Sequence, residues 1–264
     1  MPTPKGRAEY ANEARGILQQ RPPELRWLRT AVLANYTTEF LAPYLVVEGA
    51  RCGVGLDIWS GPYGQIEQQA LDAASELFAR APEVVLILPQ IEDWAPVLAR
   101  RFMTLGSEEI EQTRSDVRSR FVAVLASIRQ HSEAKILLGN FVPPVWSSAG
   151  SVDVGLVDSL TGTLQRLNED LAAVCRDVSD AAVLDMACVA REVGSRRWRD
   201  ERMAWLARAP LSGEAMAAVG KAFARRVRAC LYPQKKCLVL DMDNTLWGGV
   251  VGEAGMDGIQ LGPD

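Results

Sequence analysis

The sequence predicts an α/β protein: a three-layer parallel sheet with helices on both faces, followed by the first strand of a second, incomplete α/β unit. Three observations predict it. Five short apolar runs of strand length occur at 28–34 (LRTAVLA), 54–59 (VGLDIW), 83–89 (EVVLILP), 135–140 (KILLGN) and 181–186 (AAVLDM). Longer segments with apolar residues three and four apart separate them, the pattern of crossover connections in a sheet buried on both sides. A further apolar run, Cys237-Leu238-Val239-Leu240, follows a break of proline and charge at 231–236 and leads into Asp241-x-Asp243-x-Thr245.

Taken in order, residues 5–20 read as a leading amphipathic helix, closed by Arg21-Pro22-Pro23 because two prolines remove amide donors and block the α conformation upstream. The strand at 28–34 leads to a helix at 38–49, and those at 54–59 and 83–89 to helices at 65–80 and 107–131. The last two strands precede helices at 154–178 and 212–230. Right-handed crossovers put every strand's C-terminal end on one edge, where open α/β sheets bind ligands. The predicted division is an N-terminal helix over 1–24, an α/β domain over 25–231 and the start of a second domain over 232–264. That last stretch is shorter than the roughly 40 residues below which isolated units seldom fold unaided.

The 264 residues are 48% hydrophobic and 23% charged, as in ordinary globular proteins. A net charge of −4 and a pI near 5.3 argue against nucleic-acid or anionic-membrane partners, which want a concentrated basic face. Arg196-Arg197-x-Arg199 and Arg225-Arg226-x-Arg228 read as solvated helix faces. The five cysteines stand singly, with no CxxC pair, which suits a reducing compartment. No stretch reaches the roughly 18 apolar residues of a membrane span. A cytoplasmic location is expected; the sequence leaves the oligomeric state open.

Asp241 and Asp243, two residues apart at a strand's tip, would face one site, where a divalent cation offsets their repulsion and admits a phosphate. The structural alternative is an acidic turn or helix cap. The run resembles motif I of the haloacid-dehalogenase (HAD) superfamily of phosphatases, a Rossmannoid fold. The resemblance implies that Asp241 attacks phosphorus and Asp243 acts as general acid/base, with Asn244 and Thr245 at the phosphate and turn, and Mg2+ on Asp241 and Asp243. The longer string at 236–262, KCLVLDMDNTLWGGVVGEAGMDGIQLG, resembles the FkbH-like branch. That implies a glyceryl transferase/phosphatase that takes a phosphorylated three-carbon substrate, 1,3-bisphosphoglycerate, and loads the glyceryl unit on an acyl carrier protein for polyketide-type assembly. Members route the acyl group through a cysteine, and which of the five would serve stays open. HAD chemistry also needs a later Ser/Thr, a Lys and further acids, whereas the sequence ends at Asp264, nineteen residues past Thr245. The expectation is therefore the front part of a longer enzyme, with an incomplete magnesium site and no phosphatase turnover of its own.

Three strand ends converge on the predicted ligand edge of the first domain: Ala34-Asn35-Tyr36-Thr37-Thr38, Gly61-Pro62-Tyr63-Gly64-Gln65 and Gln90-Ile91-Glu92-Asp93, with Asn140 after the fourth strand. Their order resembles the blocks of the SGNH hydrolases, esterases of flavodoxin-like fold. Tyr36 stands where that family has its nucleophilic serine, with Thr37 the nearest hydroxyl, and Gly64 matches the oxyanion-hole glycine. Glu92 and Asp93 fall at the third block, where a carboxylate would repel an oxyanion. Leu206-Ala207-Arg208-Ala209-Pro210 matches the last block without its aspartate and histidine, and a hydroxyl without a base is a poor nucleophile. The only histidine, His131, falls at a helix end on the opposite edge. The expected pocket, of Asn35, Tyr36, Thr37, Gly64, Glu92, Asp93 and Asn140, is one for binding. An acyl hydrolase using Thr37 and a non-catalytic carrier-binding module are the alternatives. Structural readings stand beside these: Thr38 capping the next helix, Asn35 and Asn140 bonding loop amides, and Trp59, Trp94, Trp146, Trp198 and Trp205 mostly packing in the core.

Overall fold

The structure, a computed structural model, describes residues 6–147, 149–156, 158–232, 237, 239–258 and 260. In chain order its elements are α1 (Arg7–Gln20), β1 (Arg26–Ala34), α2 (Ala42–Arg51), β2 (Val54–Ser60), α3 (Ile66–Leu71), α4 (Glu76–Ala79), β3 (Val84–Leu88), α5 (Ile91–Trp94), α6 (Pro96–Arg101) and α7 (Ser107–His131). There follow β4 (Lys135–Gly139), α8 (Leu160–Asp177), β5 (Ala181–Leu184), α9 (Met186–Val193), α10 (Ser195–Trp198), α11 (Glu201–Ala207), α12 (Gly213–Leu231) and α13 (Val251–Ala254). Residues up to Arg228 form one compact unit and those from Ala229 a second. Among the described residues no helix is long and apolar enough to cross a membrane.

The strands pair in parallel in the order β2-β1-β3-β4-β5, so the direction of winding reverses between β1 and β3. Their side chains alternate between two faces. Ala31 and Leu33, Val85 and Ile87, and Ile136 and Leu138 join one core with α3 to α8. Val84, Leu86 and Leu88 are equally buried and face the other way. On β2, Leu56 lies against α2, and α12 packs on α2 so closely that a Cβ on Gly220 would come within 2.9 Å of the Tyr44 carbonyl oxygen. The leading helix docks there too: the Tyr10 ring stacks 4.0 Å from Tyr44, and its hydroxyl donates to Glu48 at 2.8 Å. Burial, with Glu48 as acceptor, pushes the Tyr10 hydroxyl up to about 12.

Several predicted boundaries move, each for a local reason. The helix expected at 38–49 starts at Ala42, because Leu41 and Ala42 first turn back their amides onto the Thr38 carbonyl. The helix expected at 65–80 breaks after Leu71, where Asp72 accepts the Ala74 amide and the Ser75 hydroxyl donates to the Gln69 carbonyl. The one expected at 154–178 starts only at Leu160: the Asp153 carboxylate takes the Leu160 amide at 3.1 Å and the Ser159 hydroxyl takes that of Gly162 at 3.0 Å. In the second unit residues 239–242 are not in a strand, since among the described residues none runs beside them to supply hydrogen bonds. Positions 236 and 238 of that predicted strand lie outside the described residues.

Candidate functional site

Parallel pairing carries the C-terminal ends of β1, β3, β4 and β5 to one edge, and a cavity of about 330 Å³ opens there. Tyr36 beyond β1, Ile91 beyond β3, Phe141 beyond β4 and Met186 beyond β5 line it, and Trp198 and Leu211 enter from the segment between α9 and α12. Of the seven residues predicted to form the pocket, Tyr36, Glu92 and Asn140 line this cavity, whereas Asn35, Thr37, Gly64 and Asp93 do not. The pocket thus lies farther toward β4 and β5 than the sequence reading placed it.

The residues left out are engaged in holding the edge together. Asn35 is buried, and its Oδ1 accepts the Trp94 indole N–H at 2.8 Å and the Gln90 amide at 3.4 Å. Thr37 donates its hydroxyl to the Ala207 carbonyl at 2.6 Å and its amide to the Arg208 carbonyl at 2.9 Å. Gly64, at φ +70°, donates its amide to the Ala34 carbonyl at 3.0 Å, so the expected oxyanion donor is already in use. Asp93 is exposed; desolvation and the neighbouring Glu92 hold its carboxyl above the usual range, against the pull of Arg100 and Arg208. Asn140 lies on the cavity but spends its side chain on the Asp185 carboxylate and the Ala187 amide. Thr38 is no side-chain cap of α2. Trp94 and Trp198 are core residues as expected, but Trp146 and Trp205 stand 72% and 87% exposed.

The 206–210 segment does lie against Thr37, as the hydrolase resemblance requires, yet it meets that residue with two main-chain carbonyls. The missing histidine's position is Ala209, a buried methyl group that cannot accept a proton, and the neighbouring Arg208 donates to the Tyr63 hydroxyl at 3.0 Å. His131 ends α7 just ahead of β4, at the edge opposite the cavity, its Nδ1 2.9 Å from the Ser127 carbonyl oxygen. The arrangement can bind a ligand, but among the described residues no histidine stands beside Thr37 to act as the base of ester hydrolysis.

Tyr36 is one of the polar groups on the cavity left without a partner. It is 6% exposed, makes no hydrogen bond to a described residue, and burial pushes its hydroxyl well above the ordinary phenol range. Sequence reasoning missed Arg199, Glu201 and Leu211 because α9, α10 and α11 are too short to show a period and reach the cavity only through the fold.

In the second unit the Asp243 Oδ1 accepts the Trp247 indole N–H at 3.1 Å and the Val251 amide at 3.3 Å, and the Asn244 Oδ1 accepts the Gly249 amide at 2.9 Å. Thr245 closes the turn through its amide, onto Met242 O. Asp241 is exposed. No group of three or more His, Cys, Asp or Glu among the described residues is placed to hold a metal. One exposed carboxylate and one already bonded fall short of the octahedral oxygen set that magnesium wants, so the described residues do not form its site.

A family model described as "FkbH, N-terminal domain" matches residues 29–226. Among curated proteins none matches this chain. The solved N-terminal part of BF1531 from Bacteroides fragilis, which contains a phosphatase domain complexed with Mg, is similar at 23% identity and a TM-score of 0.74, over 98% of this chain and 66% of that one. The chain thus spans just under two thirds of that relative. The lipase Lip_vut3 from a goat rumen metagenome (12% identity, TM-score 0.55, 78% of this chain and 97% of that one) shares the fold. So does the acetylxylan esterase Axe2 from Geobacillus stearothermophilus (11%, 0.51, 78% and 96%). With an SGNH-like sheet on whose edge Thr37 and Gly64 are held by structural hydrogen bonds, and a family match over most of its length, the chain belongs to the FkbH family through its N-terminal domain.

Proposed function

We propose that the protein acts as an FkbH-like glyceryl transferase/phosphatase, which dephosphorylates 1,3-bisphosphoglycerate and loads the glyceryl unit on an acyl carrier protein for polyketide-type biosynthesis, its N-terminal domain serving as a non-hydrolytic binding domain. The observation that carries the reading is the family match over 29–226 on an edge where Thr37 and Gly64 are tied up and, among the described residues, no histidine stands beside Thr37. In this reading Asp241 is the nucleophile toward phosphorus and Asp243 the acid/base. Magnesium, which accompanies the phosphatase domain of the Bacteroides protein, belongs to the complete phosphoryl site.

The test uses the full-length protein, 1,3-bisphosphoglycerate, magnesium and a pantetheinylated carrier. The carrier is expected to gain the mass of one glyceryl unit with release of phosphate, and Asp241→Asn to abolish that release; a carrier of unchanged mass overturns the proposal. The cavity favours a second reading, a carrier-binding module without phosphoryl chemistry, which predicts shifted carrier resonances and no change of mass.

A further inference from the structure

We propose that the cavity at the ends of β3, β4 and β5 takes an uncharged acyl compound, an ester, thioester or amide with an apolar body, whose carbonyl oxygen accepts the Tyr36 hydroxyl. The proposal deepens the non-hydrolytic binding reading and rests on it.

The walls exclude charge. Ile91, Phe141, Val142, Pro143 and Leu211 surround the space, and an ion among them would lose its hydration without compensation. The charged lining residues are Glu92, Arg199 and Glu201, and Arg199 is already paired with Glu201 at 3.1 Å. Two carboxylates against one guanidinium leave the lining net negative, which opposes a carboxylate or phosphate ligand. The volume of about 330 Å³ is at the small end of ligand pockets.

Besides the indole N–H groups of Trp146 and Trp198, Tyr36 and Gln90 are there to orient the occupant. Tyr36 is nine-tenths buried with no described partner, and because burial disfavours its ionised form it stays a donor at any physiological pH. A buried hydroxyl of this kind is stabilised by an acceptor brought in by the ligand. Gln90 also lines the space, and its side-chain amide makes no hydrogen bond to a described residue, so it can take a second polar atom such as an amide N–H. Among the described residues the lining holds no Ser, Thr, Cys, His or Lys, so a bound ester or thioester meets no described side-chain nucleophile of those kinds. The combination of one fixed donor, apolar walls and no attacking group fits an activated acyl group held intact.

The experiment is calorimetric titration of the 264-residue chain with hexanoyl-N-acetylcysteamine, with hexanoate as the charged counterpart and hexyl ethyl sulfide as the carbonyl-free one. Saturable one-to-one binding of the thioester, at least tenfold tighter than hexanoate, with the thioester recovered unhydrolysed, is expected. Tyr36→Phe should weaken the thioester about fivefold to tenfold and leave the sulfide unchanged, which also shows that the variant is folded. Ala99→Phe, which fills the cavity, should abolish both. No saturable thioester binding, hexanoate binding as tightly as the thioester, or equal thioester affinity in Tyr36→Phe would each overturn the proposal. Carrier loading reads the enzymatic proposal separately, so either can fail while the other stands.

Discussion

Thr37 carries the hydroxyl next in the chain after Tyr36, and its proton is committed to the Ala207 carbonyl at 2.6 Å. Thr37→Val keeps the shape and strands that carbonyl; a loss of about 1 kcal/mol in urea unfolding is expected. Asp153 shows the same logic at the start of α8. Burial alone would raise its carboxyl, but hydrogen bonds from Ser147, Thr161 and Leu160 outweigh burial and hold it below the usual carboxylate range. A depressed folded-state value means stability that is present above the unfolded pKa of about 3.9 and lost as pH falls through the lower folded one. Asp153→Asn should therefore destabilise by about 2 kcal/mol at pH 7, and the gap between variant and wild type should close below about pH 4; a constant gap from pH 7 to 3 would contradict the assignment. At this scale the sequence was legible where a polar residue sits at a strand tip: Asn35 and Asn140 do bond neighbouring loops. It was not legible for Thr37, whose partner lies 170 positions away.

Helix α5 is four residues long, too short to hold itself. Trp94 anchors it, stacking 3.8 Å from Phe121, donating to Asn35 and giving its carbonyl to Arg120 at 2.9 Å. Arg120 is in turn fixed by Glu67 of α3. Trp94→Phe retains most of the apolar contact but takes the indole donor from a buried Asn35, so a loss of about 1–3 kcal/mol is expected in denaturant unfolding. Long elements with clear periods, α7 and α12 above all, match their predicted ranges within a residue. Short ones do not announce themselves: α9, α10 and α11 have eight, four and seven residues, too few for a repeat to stand out against chance.

Across the whole molecule the five strands and their common ligand edge were readable, because a parallel sheet needs continuous apolar runs and right-handed crossovers leave one orientation. The cavity's place along that edge was not, since Trp198 arrives on a four-residue helix and Arg199 and Leu211 through loops, none of which a period encodes. The chain is expected to release no p-nitrophenol from p-nitrophenyl acetate above the buffer rate; a rate removed by Thr37→Ala would restore the hydrolase reading. The hydrogen bonds that close this edge also stand in the way of building a hydrolase site there. Tyr36→Ser would open a void in the core, freeing the Gly64 amide would break its bond to Ala34, and Ala209→His would force a ring into a buried position that holds a methyl group. Each such change weakens the fold at once and none alone supplies a complete set of hydrolase groups, so single substitutions meet a loss of stability before they meet any turnover.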